Sequence, residues 1–447
     1  MIRSLEPPPL AQLLPAIVDP HVGVLHAVTE VRRHPGAPCF FHYAAHLSNT
    51  QAFSEYANSG SRGAAAADRE TAVTRVVLDA VAGYCSALIS EEDGKHSICS
   101  ANHAPFPCVR PEEFALFSAE QYAQPGFPYV PFTGETPLQW SEALDPLTGE
   151  PVFIPSAFRF LPYSALVTHG EVLIAPASSA GLACHWETAA AATEAICDVI
   201  ECDALAIIWQ ARMSLPQIRV ETLSDANYDL VSRFERTGGT ITLLQASLDL
   251  GVTTVLAALS RSNPEAPAYV FAAASSLDPN LAVRRSLDML AHVEQYCQLL
   301  WTQMPRASDD PGEIVDQSDH LNYWCDHRHA SGASFLFASK QRLDFDEVEN
   351  RSTGDAASDL RGLLEHIRAA GYRTLLADLT TPDIRGLGLK VVRAIIPGLH
   401  PLMFGFRTRP LGGRRPWTVP QTLGHQWSVS ANDQLAPHPF PRKGMVS

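Results

Sequence analysis

The sequence predicts a mixed α/β (α+β) fold, and three observations carry that expectation. Segments with helical spacing and segments with strand alternation recur along all 447 residues. Glycines and prolines punctuate them where helices stop and strands turn. The composition, 46% apolar against 18% charged, belongs to a chain that buries a core rather than one that stays unfolded. At roughly 100–200 residues per domain, this length allows two to four structural units.

Residues 1–50 mix apolar and proline-rich pieces and read as an irregular leading segment with a strand or two. Helical spacing runs through 64–90, where Ala72, Val76, Leu78/Asp79 and Ala82/Gly83 recur every three or four positions. Seven prolines between 105 and 137 predict strands and long loops over 105–160. VFIPSAFRFLPY reads as a strand pair around Pro155, and ALVTHGEVLIAP as a strand. A turn at Ser179-Ala180-Gly181 then leads to a long alanine-rich helix, about Thr188 to Ala211. TGGTITLLQASLDLGVTTVLAALS predicts two strands around a turn. A helix is expected after Pro279, over 281–303, followed by a polar, mobile loop over 305–330. RGLLEHIRAAGYRTLLADLT reads as helix, Gly371 stop and strand, and KVVRAIIPGL as a further strand. The last 35 residues read as an extended tail.

Charge narrows the function classes. Lys and Arg number 33 against 48 Asp and Glu, so the formal net charge is 33 − 48 = −15. That balance argues against a general nucleic-acid or anionic-membrane surface, both of which need basic patches. It leaves room for a local phosphate pocket, since carboxylates hold the magnesium that holds nucleotide phosphates. No run approaches the ~18 apolar residues of a membrane span. The first 23 residues, broken by Pro7, Pro8 and Pro9, lack the apolar core of a secretion signal. Nine cysteines without an export signal read as reduced thiols, which predicts a cytoplasmic location.

Two helices carry the chemistry worth following. Asp79 opens the run Asp79-Ala80-Val81-Ala82-Gly83, and Asp198 opens Asp198-Val199-Ile200-Glu201-Cys202-Asp203. Carboxylates three apart share a helix face, and such a face can hold magnesium. A solvated face laced with salt bridges is the alternative reading. The turn before the second helix offers backbone N–H groups of the kind that receive phosphate oxygens at a helix start. His96, Cys99, His103 and Cys108 are metal-ligating types, but their spacing lacks the paired cysteines of a structural zinc site. Cys325-Asp326-His327-Arg328-His329 reads as surface histidines in a polar loop. The chain holds no G-x-S-x-G elbow, no G-x-x-x-x-G-K-[ST] loop and no G-x-G-x-x-G fingerprint.

Several segments together resemble the YcaO family, in particular its members that form thiazolines and oxazolines in ribosomal peptides. They are GSRG at 60–63 with the helix ending AVAGYCSALIS, SSAGLACHWETAAAATEAICDVIECDALAIIW at 178–209, and LDPNLAVRRSLDMLAHV at 277–293. The block LLADLTTPDIRGLGLKVVRAIIPGLHPLMFGFRTRPLGGRR at 375–415 and the tail PHPFP at 437–441 complete the set. The resemblance implies a large core of mixed sheets with packed helices. It would divide the chain into a leading segment (1–54), a YcaO-like domain (55–411) and an extended tail (412–447).

It also implies ATP-dependent backbone chemistry. A Cys, Ser or Thr side chain of a precursor peptide attacks the preceding amide carbonyl, ATP phosphorylates the oxyanion, and phosphate leaves to give an azoline. On this resemblance Asp79, Asp198 and Glu201 are the metal ligands, and Arg62, Ser179, Gly181, Arg284 and Arg285 contact ATP. Pro437, Pro439 and Pro441 bring the tail to the catalytic centre. The implied partners are the precursor peptide, a separate ThiF-like leader-binding protein and a flavin dehydrogenase, in a homodimer or hetero-complex.

The chain departs from the family pattern at defined positions. Glu-x-x-Glu-Arg is replaced by Asp79, Ala82 and Gly83 on the first helix, and by Asp198, Glu201 and Cys202 on the second. Ala180 replaces an Asn, Met289 stands at a usually acidic position, and Arg62 stands for the usual Lys. Six residues follow Pro441, where the family motif ends the chain. Two readings therefore stay open: an active cyclodehydratase subunit, or a catalytically silent relative that scaffolds such a complex.

Overall fold

The structure, a computed structural model, describes residues 10–50, 60–89, 98–163, 170–425 and 436–442. Three sheets and three long helices position everything that follows. The first sheet is antiparallel and runs Leu25–Val31, Phe41–Leu47, Ser61–Ala66. The second has the order Tyr269–Ser276, Thr253–Ser260, Thr240–Gln245, Gln217–Ile218, Arg342–Leu343, antiparallel except for its last pair. The third has the order Pro151–Pro155, Trp140–Leu144, Leu375–Asp378, Lys390–Ile395, Leu182–His185, antiparallel throughout.

Each long helix packs on a sheet. The first, Arg69–Ala87, starts where the Asp68 carboxylate accepts the Thr71 N–H at 2.8 Å. It buries Ala72, Val76, Ala80 and Val81 against the first sheet. The second, Thr188–Gln210, lies on strands Lys390–Ile395 and Leu182–His185. Its alanines 191, 192 and 195 are fully buried there, because small side chains let helix and sheet approach closely. The third, Pro279–Gln303, has Pro279 at its first position and an Asp278 carboxylate capping the Asn280 N–H. It packs on strands Tyr269–Ser276 and Thr253–Ser260 and reaches across to Ser61–Ala66. The first and second sheets thus meet through one helix. Among the described residues no helix is long and apolar enough to cross a membrane.

Several expectations need correction. Ala64, Ala65 and Ala66 belong to a strand rather than to the start of the first helix, because they pair in register with Tyr43, His42 and Phe41. The segment 151–162 holds one strand, not two; after Pro155 the chain turns into a short 3-10 helix, Ser156–Phe158. The strand placed at 165–176 is not seen over 170–176, and 164–169 lie outside the described residues. The strand before the second helix is Leu182–His185, on the far side of the glycine turn. The 305–330 segment contains the helix Gln317–Cys325, whose polar residues do structural work. Asp316 and Asp319 cap its start, and its His320 and Trp324 are buried. The tail is not wholly extended, since Arg415–Thr422 is helical. The expected boundary after residue 54 lies outside the described residues; strands Phe41–Leu47 and Ser61–Ala66 on either side of it pair in one sheet.

Candidate functional site

The three long helices, strands Ser61–Ala66, Leu182–His185 and Tyr269–Ser276, and Pro441 of the tail enclose one cavity of about 580 Å³. Helical spacing selects what each helix shows to it. The first presents Arg75, Asp79 and Ala82; the second Glu194, Asp198 and Glu201; the third Arg284, Arg285, Met289 and His292. Asp79, Asp198, Glu201, Arg284, Arg285 and Pro441 therefore line one space.

Most wall charges are arranged as pairs. Arg75 donates to Asp288 at 2.6 Å, and Arg284 stands 3.3 Å from Asp68. Arg285 donates to Glu194, and Arg62 lies 3.7 Å from Asp79. Asp288 is fully buried, and burial pushes its carboxyl above the ordinary range against the pull of Arg75. Asp198 accepts the Gly181 N–H at 2.7 Å.

Arg62 is not among the residues that line the cavity; its Nε lies 3.7 Å from Asp79, which is. Ser179 and Gly181 occupy a different position from the one expected of them. The turn is separated from the helix start by strand Leu182–His185, so it is not a helix N-terminus. Gly181 adopts φ +79°, and a Cβ there would lie 2.3 Å from the Ala394 oxygen and 2.7 Å from Val199. Its N–H is directed to Asp198. The turn thus holds a carboxylate rather than offering donors to a ligand.

The tail residues 436–442 are docked. The indoles of Trp209 and Trp324 donate to the carbonyls of Ala436 and Pro437, each at 2.8 Å. Phe440 is fully buried, edge-on to Trp209. Pro437 and Pro439 are buried along this groove, away from the cavity that Pro441 reaches. His320 accepts the Gly405 N–H at Nε2, so its Nδ1–H donates to the His438 carbonyl at 2.8 Å. His438 in turn faces the Met403 carbonyl with Nε2 and the Phe440 N–H with Nδ1.

Both histidines are neutral, burial holding His320 down to about 4 and His438 well below its ordinary value. A released tail takes up protons below about pH 6.5, the ordinary histidine value, whereas the docked one does not. Docking is therefore fully stable above about 6.5 and weakens as pH falls towards 4. Acidification from pH 7.5 to 4.5 should change the emission of Trp209 and Trp324. A flat signal over that range would count against this docking arrangement.

His96 lies outside the described residues. The backbones of Cys99 and Cys108 pair with Leu138 and Phe153 in isolated β-bridges, both thiols are free, and among the described residues no three His, Cys, Asp or Glu side chains form a ready metal cage. Cys325 is buried rather than in a loop, and His327 and His329 are half-buried. The sequence reading missed Arg75, Glu194, Asp288 and His292. The spacing Glu194, Asp198, Glu201, a charged stripe along one face of the helix, is the signal that finds Glu194.

Magnesium fits this donor set in one form only. Asp198 and Glu201 share a helix face across from Asp79, and magnesium is commonly bound by one or two carboxylates plus phosphate oxygens and water. Ala82 and Met289 add no ligand.

Comparison with known proteins agrees with this architecture. Residues 62–400 match the family model described as YcaO cyclodehydratase, ATP- and Mg2+-binding. An uncharacterised protein of Methanothermobacter thermautotrophicus is 29% identical over 271 residues, 59% of this chain and 66% of that one. A heterocyclase in complex with substrate and cofactor superposes with TM-score 0.75 at 19% identity, over 96% of this chain and 56% of its own. YcaO from Methanopyrus kandleri, bound with AMPPCP and Mg2+, gives TM-score 0.62 at 18% identity, over 88% and 90%. The chain thus spans just under two thirds of the archaeal relative and about half of the heterocyclase.

Proposed function

The chain belongs to the YcaO family, and from that premise we propose that it is the YcaO component of a complex that modifies a ribosomal peptide, with the 580 Å³ cavity as its nucleotide site. The observation that carries this reading is convergence: charged faces of three separate helices and the end of the docked tail meet in one cavity. Family membership supports ATP and magnesium as ligands.

Asp198 and Glu201, with Asp79 opposite, would hold the metal, while Arg75, Arg284 and Arg285 would meet the phosphates. Guanidinium forks match phosphate oxygens in geometry. ATP, when bound, supplies the phosphoryl group that makes an amide oxygen of the peptide a leaving group. The chain's own residues orient that ligand, and the tail closes one side of its cavity. The precursor peptide is the proposed substrate, with Cys, Ser or Thr as the cyclised residue. A separate ThiF-like protein is the proposed leader-binding partner, and a flavin dehydrogenase a further one.

A specific observation favours the scaffold reading as the second choice: Ala82 and Met289 face the cavity where acidic ligands are expected. Calorimetric titration with ATP and magnesium separates the two. Micromolar to sub-millimolar binding, with phosphate release when peptide and partner are added, is expected. Binding without phosphate release in the full complex would leave the scaffold role; no binding at millimolar ATP removes the nucleotide site itself.

A further inference from the structure

A second cavity, of about 590 Å³, opens on the third sheet at the start of the helix Thr188–Gln210. Strand register fixes its floor. Leu376 stands opposite Leu144, Asp378 opposite Val392, and Lys390 opposite His185. Opposite partners share a face of the sheet, and so do residues two apart on one strand. Glu142 and Leu144, Leu376 and Asp378, and Lys390 and Val392 therefore lie side by side, two from each of three adjacent strands, and all six line the cavity. The helix covers only one side of this strip. Its Ala191 and Ala192 pack on Val392, while Glu142, Leu144 and Asp378 stay exposed, Leu144 to 44%.

Charge then narrows what fits. Lys390, Arg159 and Arg385 line the groove with Glu142 and Asp378, a balance of 3 − 2 = +1 in a chain whose total is −15. Asp378 is already engaged. Its carboxylate accepts from Arg385 at 2.8 Å, and its carbonyl accepts from Arg159 at 3.2 Å. Among the described residues, the side chains of Lys390 and Glu142 have no hydrogen bond or ion pair. One strand separates theirs, which puts them roughly 10 Å apart, too far to neutralise one another. Thr188, the first helical residue, lines the same groove, and Glu187 makes no capping bond there. The positive end of a long helix thus adds to the pull on a negative group.

A cationic pole and an acceptor pole stand at the ends of an apolar floor. Roughly 10 Å is the span of three extended residues. A surplus of one positive charge matches a single carboxylate rather than a polyphosphate. The groove also lies one strand from the first cavity, since His185, the partner of Lys390, lines that cavity.

We propose that this groove is a second binding site, for an extended peptide segment with one acidic side chain between apolar ones. Lys390 and the helix start take the carboxylate, Glu142 accepts a peptide N–H, and Leu144 and Leu376 carry the apolar side chains. That the segment belongs to the precursor peptide rests on the function proposed above; the groove's preference for an acidic peptide does not.

Calorimetric titration of the full-length chain tests it. The probe is the acetylated and amidated pentapeptide Gly-Leu-Glu-Leu-Gly, whose one carboxylate is the glutamate. It should bind, more weakly as salt rises, and its Gln counterpart should bind at least roughly tenfold more weakly, as loss of a charge-assisted contact implies. Lys390→Met removes the cation, and Leu144→Glu sets a like charge at an exposed position that folding does not need. Each should lower affinity for the acidic peptide at least roughly tenfold with the melting temperature little changed. ATP titration of Lys390→Met should match that of the unaltered chain. Equal binding of the two peptides, or unchanged affinity in both variants, overturns the site. Octanoate binding more tightly than the peptide overturns the peptide as its occupant in favour of a free organic acid. ATP binding without peptide binding defeats this inference alone, and peptide binding without ATP binding defeats the nucleotide reading alone.

Discussion

Replacing Arg415 by alanine should cost about 3–5 kcal/mol of stability, the expected penalty for breaking a buried ion pair by removing one partner. Arg415 opens the helix Arg415–Thr422 and is 3% exposed. Its Nε and Nη2 grip both oxygens of Asp203 at 2.8 and 2.7 Å, while Nη1 and Nη2 reach Asp249 at 3.0 and 2.6 Å. Nη1 also donates to the Tyr372 hydroxyl at 2.8 Å. Asp203, on the second long helix beside Cys202, is 1% exposed and accepts the His400 N–H as well. Without Arg415 that carboxylate keeps its desolvation and loses its counter-charge.

The pH dependence has a definite sign. Burial already raises the Asp203 carboxyl above its ordinary value, and loss of Arg415 raises it further. A raised carboxyl stabilises the fold relative to its ionised state only at low pH, so the Arg415→Ala deficit should narrow as pH falls towards 4. Urea unfolding of Arg415→Ala at pH 7.5 and 5 checks both statements. The double variant Asp203→Asn with Arg415→Met should recover part of the loss, because it leaves no uncompensated charge. A single variant within about 0.5 kcal/mol of the unaltered chain would show the network to be dispensable.

The long elements were legible because their signals are local. The helices near 79, 198 and 290 announce themselves by spacing and by caps such as Asp278-Pro279. The site was legible as far as single faces go: Asp198 and Glu201 share a face by arithmetic. What the sequence hides is the pairing between distant segments. Arg62 over Gly83 is a contact between a strand and a helix face, and the small residues 64–66 read as helix until their strand partners at 41–43 are known. Arg393 lies nearly two hundred residues from Asp198, and nothing near either marks the other. The helix at 317–325 escaped because its polar residues are caps and tail contacts, such as Gln317 receiving the Arg442 N–H at 3.0 Å, and polarity alone reads as loop. Arg415, in a proline-rich stretch, reads as a tail charge until Asp203 is found beneath it.

Asp198→Asn should reduce affinity for magnesium and ATP by ten- to a hundredfold, the range seen when groups that order a metal site are removed. Two effects act in the same direction. The amide keeps an oxygen for the Gly181 N–H, so the turn is held, but the negative charge that magnesium needs is gone. Arg393, a buried guanidinium whose charge Asp198 helps to sustain, loses that support, which weakens the packing behind this helix face. Glu201→Gln tests the first effect with less of the second, since Asp198 keeps the charge that acts on Arg393. It should therefore fall less steeply than Asp198→Asn. Isothermal titration at fixed ATP with magnesium varied reads the metal term directly, and thermal unfolding without ligand reads the cost of the altered arginine environment. Unchanged magnesium dependence in Asp198→Asn would remove this helix face from the metal site and leave the arginines on the cavity walls as the ligand contacts.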